Sequence, residues 1–326
     1  MKTKFSFKQG KSHAKKNQLC QDYAGMYNNQ LVSVIAVADG CSGAKFSREA
    51  AIINVEESIS YFSNVKNWLK DSEEELIASL LDCIHARFQK SGLPIDELCA
   101  TLCVVAVKAD GEYMIVSIGD STVIALEQHL EPLLLVEPFN GAKKSETLFT
   151  NDLESCLTYA QFRCNYLHAY HFLGFIIYTD GCERLFSRRL YQGGALLKQI
   201  SAHAVLDNDA SHLQEILNYT SNSYTEDDVS MAVVVMDNDS TIKDAKLLLN
   251  PTPAQKQPEP KQVTDEFSKY PVMYRAILKA LSENPMTPEE FVEKGYISYG
   301  KVLETLTPLV KDHTIYWENQ KFHIST

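Results

Sequence analysis

Leu31-Val32-Ser33-Val34-Ile35-Ala36-Val37-Ala38-Asp39-Gly40 is an apolar run that stops at an aspartate. A short run of Val, Ile and Ala bounded by Asp-Gly reads as a buried strand with a turn at its end. The event recurs along the chain. Phe175 to Thr179 runs into Asp180-Gly181, Tyr113 to Gly119 runs into Asp120, and Asp227-Asp228 precedes the run Val229 to Met236. One Asp-Gly pair is only a turn signal. Several carboxylates at strand ends can instead converge at one sheet edge, where they repel one another unless a cation sits between them. Hard oxygen donors with no matching His or Cys set point to Mg²⁺ or Mn²⁺, and hence to a metal-assisted hydrolase with a two-metal centre.

The bulk numbers admit such an enzyme. A chain of 326 residues with 45% hydrophobic and 22% charged residues can bury one large core and a smaller one. The net charge of −11 argues against coating nucleic acid or anionic lipid. No apolar segment reaches the roughly 20 residues a membrane span needs, and Met1 to His13 contains no secretory apolar core, so the expectation is a soluble cytoplasmic protein without membrane partners. The eight cysteines are scattered, mostly within apolar segments, and read as reduced thiols.

Strand patterns at Lys4 to Gln9, Cys20 to Tyr27 and Leu31 to Ala38 lead into two helices, about Ala44 to Phe62 and one begun by the capping box Ser72-Glu73-Glu74-Glu75. Strands follow at Ala100 to Lys108, Tyr113 to Ile118, Thr122 to Glu127 and Thr147 to Thr150. Helical periodicity returns at about Gly194 to Val205 and Ala210 to Asn222, and Val229 to Met236 is the last strand of this part. This order is not the strand–helix alternation of a doubly wound sheet; antiparallel sheets with helices packed outside fit better. The expected division is a catalytic domain over 1–240, a Pro-rich linker over 241–268 and an accessory domain over 269–326. In the last, three helical segments and a hairpin of Thr314 to Trp317 with Lys321 to Ile324 suggest a winged-helix-like module. It carries seven basic and seven acidic residues, so protein docking is favoured over DNA binding.

Taken in order, Gln21-Asp22, Asp39-Gly40-Cys41-Ser42-Gly43-Ala44, Ile118-Gly119-Asp120-Ser121, Thr179-Asp180-Gly181 and Asp227-Asp228-Val229-Ser230 resemble the metal-dependent protein phosphatases of the 2C type. Gly10-Lys11-Ser12-His13 and Ser145 to Thr150 are similar to the compact bacterial branch. The resemblance implies an α+β fold in which two antiparallel β-sheets are sandwiched between helical layers (α-β-β-α). It also implies two Mn²⁺ or Mg²⁺ ions hydrolysing phosphoserine and phosphothreonine in a phosphoprotein substrate, with a cognate serine/threonine kinase or its targets as signalling partners. By the same resemblance Asp39 bridges both metals, Gly40 offers its carbonyl, and Asp22 holds one metal. Asp180 and Asp227 complete the other, and Asp120 lies near a looser third ion. Asp39 and Asp180 are the residues on which catalysis rests.

The chain also departs from the pattern. Gln21 stands where many members have Glu, Cys41 where eukaryotic members often have His, Arg184 where a third-metal Asp is frequent, and Asp228 where Asn is usual. Gln21 and Asp228 are read as supporting groups. The phosphate-binding Arg near the first strands has no counterpart, leaving Lys15 or Lys16 to substitute, although lysine cannot grip phosphate bidentately. Two other readings stay open. One is a catalytically weak pseudo-phosphatase acting as a phosphoprotein-binding module. The other is a serine hydrolase using Ser42 in a partial G-x-S-x-G context.

Overall fold

A computed structural model of the chain describes residues 1–64, 68, 72–139, 147–187 and 190–250. It also describes 281, 285, 287, 306 and, for the backbone, 315–318 and 321–324 near the end, and likewise only the backbone at 184, 187 and 190–193. The chain divides into two units, Met1–Pro253 and Ala254–Thr326.

The first unit begins with β1 (Lys2–Lys8), a short α1 (Lys11–Lys15), β2 (Tyr23–Asn28) and β3 (Val32–Ala38). Two helices follow, α2 (Ser47–Asn64) and α3 (Glu73–Ser91), then β4 (Leu102–Lys108), β5 (Glu112–Ile118), β6 (Thr122–Leu126) and β7 (Pro132–Val136). Next come α4 (Leu153–Tyr159), β8 (Gln161–Tyr166), β9 (Gly174–Tyr178) and α5 (Glu183–Ser187). The unit closes with α6 (Leu190–Leu206), α7 (Ser211–Ser223), β10 (Val229–Val235) and α8 (Asp239–Leu249).

The strands form two five-stranded antiparallel sheets, ordered β1-β10-β9-β6-β7 and β2-β3-β4-β5-β8. Between them lies a core of Ile35, Val37, Val105, Ile115, Val123, Phe175, Ile177 and Val234. Outside the second sheet, α2 and α3 pack on Val34, Ala36, Val104 and Val116. Outside the first, α6 and α7 pack on Ile124, Ile176, Met231 and Val233. This is the α-β-β-α sandwich. All seven residues of β3 are buried, because a strand covered on both faces has no polar side to show. Each fully buried Val or Ile contributes about 1.5–3 kcal/mol.

The expected capping box is formed: Ser72 Oγ accepts from the Glu75 N–H at 3.2 Å, and Glu75 Oε2 accepts from the Ser72 N–H at 3.0 Å. Three expectations need correction. Thr147 to Thr150 is not a strand; its hydroxyls are used instead, Thr147 on Asp120 and Thr150 on Asn54. Cys20 to Asp22 is irregular ahead of β2, because the Gln21 N–H turns away to Asp228. The expected linker over 241–268 starts too early, because Asp239–Leu249 is a helix capped by Asn238, with Ala245 buried against the α6 layer. The Pro-rich stretch from 251 onward, and the three helices expected in the accessory domain, lie outside the described residues. The hairpin there is present as β11 (Ile315–Glu318) and β12 (Lys321–Ile324), pairing Ile315 with Ile324.

Candidate metal centre

The strand registers bring the acidic residues to one edge of the sandwich. In the second sheet Tyr23 pairs with Ala38, so Asp22 and Asp39 leave adjacent strands at the same end. Ile118 pairs with Leu102 at that end too, which places Asp120 there. In the first sheet Tyr178 pairs with both Met231 and Thr122, so Asp180 and Asp227-Asp228 emerge beside the start of β6.

Local contacts then fix each carboxylate. Asp39 is held through its backbone: its N–H donates to Thr101 Oγ1 at 2.9 Å, and its carbonyl accepts from the Thr101 N–H at 2.8 Å. Asp22 is 1% exposed, and its Oδ2 accepts from the Thr179 hydroxyl at 2.7 Å, a contact that joins the two sheets. The same hydroxyl accepts from the Ser230 N–H at 3.0 Å. The side chains of Asp39 and Asp22 meet. Asp120 Oδ2 accepts from Thr147 at 3.1 Å, while among the described residues its buried Oδ1 has no hydrogen-bond partner, nor has the buried Gln21 Oε1.

Asp228 does different work. Its Oδ1 accepts from the Gly10 N–H at 2.6 Å, and its Oδ2 accepts from the Gln21 N–H at 2.5 Å and from His13 Nδ1 at 2.8 Å. The carboxylate is spent tying the α1 segment and the approach to β2 onto the start of β10, leaving Asp227 as the exposed acid of the pair. Gly181 allows the close approach beneath. A Cβ there would stand 1.9 Å from the Asp228 carbonyl oxygen, so the turn carrying Asp180 and the turn carrying Asp227 touch backbone to backbone. Gly181→Ala should force them apart. A displacement of an ångström at reacting groups costs on the order of 10²-fold in turnover, and steady-state phosphate release checks it against the retained fold by circular dichroism.

The electrostatics are one-sided. Burial, then the charges of Asp228 and Asp180, push Asp22 up to about 8. Burial, then Asp22 and Asp180, hold Asp39 well above the carboxylate range. Burial, then Asp120, Asp227 and Glu183, push Asp180 up to about 7. Burial raises Asp120, and burial with Asp120 raises Glu183. Every charge acting on Asp22, Asp39 and Asp180 in this account is negative. A divalent cation is what such a donor set lacks, and the orphaned Asp120 Oδ1 fits the same group. Among the described residues no three His, Cys, Asp or Glu side chains already close on a common point as metal ligands; the acids stand within electrostatic reach of each other, oriented from both sheets.

Other sequence candidates lie at the rim. Lys15 is exposed and pairs with Glu226 at 3.2 Å, one residue from Asp227; Lys16 is exposed at the end of α1. Arg48, passed over in the sequence, donates to the Cys20 carbonyl at 2.5 Å, two residues from Asp22. The Arg184 side chain lies outside the described residues. His203 binds Asp207 and stacks on His212 at 3.6 Å, while Ser42 is exposed in the turn after Gly40. Sequence reasoning also missed Thr101, Thr179 and His13, which hold ligands in place rather than serve as ligands. A hydroxyl immediately before Asp180-Gly181 was the one available signal.

Residues 9–218 match the protein phosphatase 2C family, and the chain belongs to it. The match spans Asp22, Asp39, Asp120 and Asp180 and stops short of Asp227. Among solved structures the fold is shared with the serine/threonine phosphatase Stp1 of Staphylococcus aureus (13% identity, 73% of this chain and 96% of that one, TM-score 0.52). It is shared with the serine/threonine phosphatase of S. agalactiae (14% identity, 72% and 98%, TM-score 0.50). A C. elegans sex-determining protein has it too (16% identity, 76% and 67%, TM-score 0.53). No curated protein matches the chain in sequence. The family is one of metal-dependent protein phosphatases, whose members use Mn²⁺ or Mg²⁺. Among the described residues no helix is long and apolar enough to cross a membrane.

Proposed function

We propose that the chain hydrolyses phosphoserine and phosphothreonine in a cytoplasmic phosphoprotein, at a centre holding two Mn²⁺ or Mg²⁺ ions. The observation that carries this reading is the convergence of Asp22, Asp39 and Asp180 from both sheets at one sandwich edge, where Thr179 joins Asp22 to the strand before Asp180. When bound, the pair of cations supplies the positive charge that acidifies water at the site and offsets charge growing on the phosphoryl oxygens.

The chain's own part is positioning. Asp39, fixed by Thr101, would be the central ligand of the metal pair, with the Gly40 carbonyl beside it. Asp22, oriented by Thr179, would hold one metal; Asp180 and Asp227, joined through Gly181 and Asp228, would hold the other. Asp120, with one unpartnered oxygen, is the third-site candidate. Lys15, Lys16 and Arg48 are the cations at the rim for the substrate phosphate. A cognate kinase or its targets supply the phosphoprotein, and the Ala254–Thr326 unit docks protein partners rather than DNA.

The test is phosphate release from phosphoserine, phosphothreonine and phosphotyrosine peptides with Mn²⁺ or Mg²⁺. Release from the first two, abolished by EDTA, is expected; turnover that survives EDTA contradicts the mechanism. A phosphoprotein-binding module remains as the second reading because Gln21 is neutral and its buried oxygen unpartnered. Turnover of p-nitrophenyl phosphate with Mn²⁺ separates the two, since a binding module shows none.

A further inference from the structure

Two thiols flank the bridge that positions Asp39, and the phosphatase chemistry uses neither. Gly40 and Ala100 form an isolated antiparallel bridge. On one side of it the Thr101 N–H donates to the Asp39 carbonyl at 2.8 Å; on the other the Cys41 N–H donates to the Cys99 carbonyl at 3.0 Å. That pattern sets Cys41 directly opposite Cys99 with both side chains on one face. One backbone hydrogen bond joins the two residues, and facing residues of antiparallel strands have Cα atoms about 4.5–5.5 Å apart, inside the about 4.4–6.8 Å that a disulfide spans. Both thiols are unpaired and partly exposed, whereas Cys20, Cys103, Cys156 and Cys182 are buried.

The two sulfurs also differ in a way that suits sequential chemistry. Cys99 Sγ is held between the Asp96 carbonyl and the Asn151 side-chain amide, each at 3.2 Å. Burial, then the neighbouring Cys41, raises its thiol. Cys41 opens the exposed turn through Ser42 and Gly43, where solvent reaches it.

We propose that Cys41 and Cys99 are a dithiol modification site that closes to a disulfide when it meets a peroxide, and that closure lowers turnover at the adjoining centre. The second half of this rests on the phosphatase reading. Cys41 sulfur attacks a peroxide oxygen: the S–O bond forms, the O–O bond breaks, and the departing hydroxide leaves as water with the thiol proton. Cys99 sulfur then attacks the sulfenic sulfur: the S–S bond forms, the S–O bond breaks, and a second water leaves with the Cys99 proton. Two thiols give two electrons to one hydrogen peroxide. The crosslink draws the Cβ atoms to about 3.8 Å. It re-aims the backbone directly after Asp39-Gly40, whose other anchor is Thr101.

The experiment treats the full chain, loaded with Mg²⁺, with hydrogen peroxide. Linked peptides are assigned by fragment-ion sequencing, and phosphate release is followed before and after dithiothreitol. A Cys41–Cys99 link is expected, with release reduced on the order of tenfold or more and restored by the reductant. Cys99→Ser should keep its resting turnover, form no such link, and carry Cys41 past the sulfenic stage so that dithiothreitol no longer restores activity. Cys83→Ser should behave as the unaltered chain does. Absence of the link at a peroxide dose that oxidises exposed methionine overturns the site. The link with unchanged phosphate release overturns its effect on turnover. If the reduced protein releases no phosphate at all, the phosphatase reading fails, while the linked peptide still decides the dithiol.

Discussion

Asp39→Asn is expected to abolish metal-dependent phosphate release and, at the same time, to raise the melting temperature of the metal-free protein. The two effects have one cause. Asp39 sits against Asp22 and within reach of Asp180 and Asp227, and its carboxyl is held well above the usual range by burial and by those charges. Without a cation, the native state bears that repulsion. An asparagine keeps the size but has no carboxyl to ionise, so the metal-free fold no longer bears the cost of holding an acid in this crowded, buried place and gains stability. The loss of turnover follows because the central anionic ligand is gone; removing one such preorganised group costs on the order of 10³-fold. Sites that hold strain for function show this trade of stability against activity. Differential scanning calorimetry in EDTA, read beside phosphate release in Mn²⁺, checks both halves. A variant that is less stable and still active would contradict the assignment of Asp39.

The second large effect is a pH dependence whose sign reverses with metal. In the folded chain burial, above all, pushes Asp22 up to about 8 and Asp180 up to about 7. In the unfolded chain an aspartate titrates near about 3.9. A group whose folded value lies above its unfolded value contributes stability that is fully present below about pH 4. That contribution is lost as pH rises through the folded value. The metal-free protein should therefore lose stability steadily between about pH 4 and pH 8. With saturating Mg²⁺ or Mn²⁺ the trend should flatten or turn upward, because the cation binds the ionised carboxylates and not the unfolded chain. Thermal unfolding across that range, with EDTA and with Mg²⁺, measures it. A metal-free protein that grows more stable toward pH 8 would contradict the crowding of ionised acids at this edge.

Much of the first unit is legible in the chain because burial leaves a strong mark. β3 is apolar at nearly every position and ends in Asp-Gly, so its strand character and the exit of Asp39 can both be read. α3 announces itself through Ser72 and the spacing of Leu76, Ile77, Leu80, Leu81 and Ile84, all of which are buried. What sequence spacing does not carry is long-range pairing. Nothing local says that Lys2 pairs with Val235, yet this β1–β10 contact brings Gly10, His13 and Gln21 to Asp228.

Weaker marks were lost where packing is partial. β7 begins with a proline and is half-exposed at an edge, so it shows no clean alternation. α8 lies next to the Pro-rich stretch and was absorbed into it, although Asn238 and the apolar residues through Leu249 signal a capped helix. In the site, the acids are legible because their type is chemically demanding. The hydroxyls of Thr101 and Thr179 are not, since a threonine that orients a ligand looks in sequence like any strand-end threonine.

The central claim is that residues from both sheets cage a pair of divalent ions at this edge. Anomalous diffraction at the manganese edge, from crystals grown with Mn²⁺, addresses it directly. The account predicts two peaks about 3.5–4 Å apart, with Asp39 between them, Asp22 on one and Asp180 with Asp227 on the other. Manganese bound elsewhere, or no peak between Asp39 and Asp180, would contradict it.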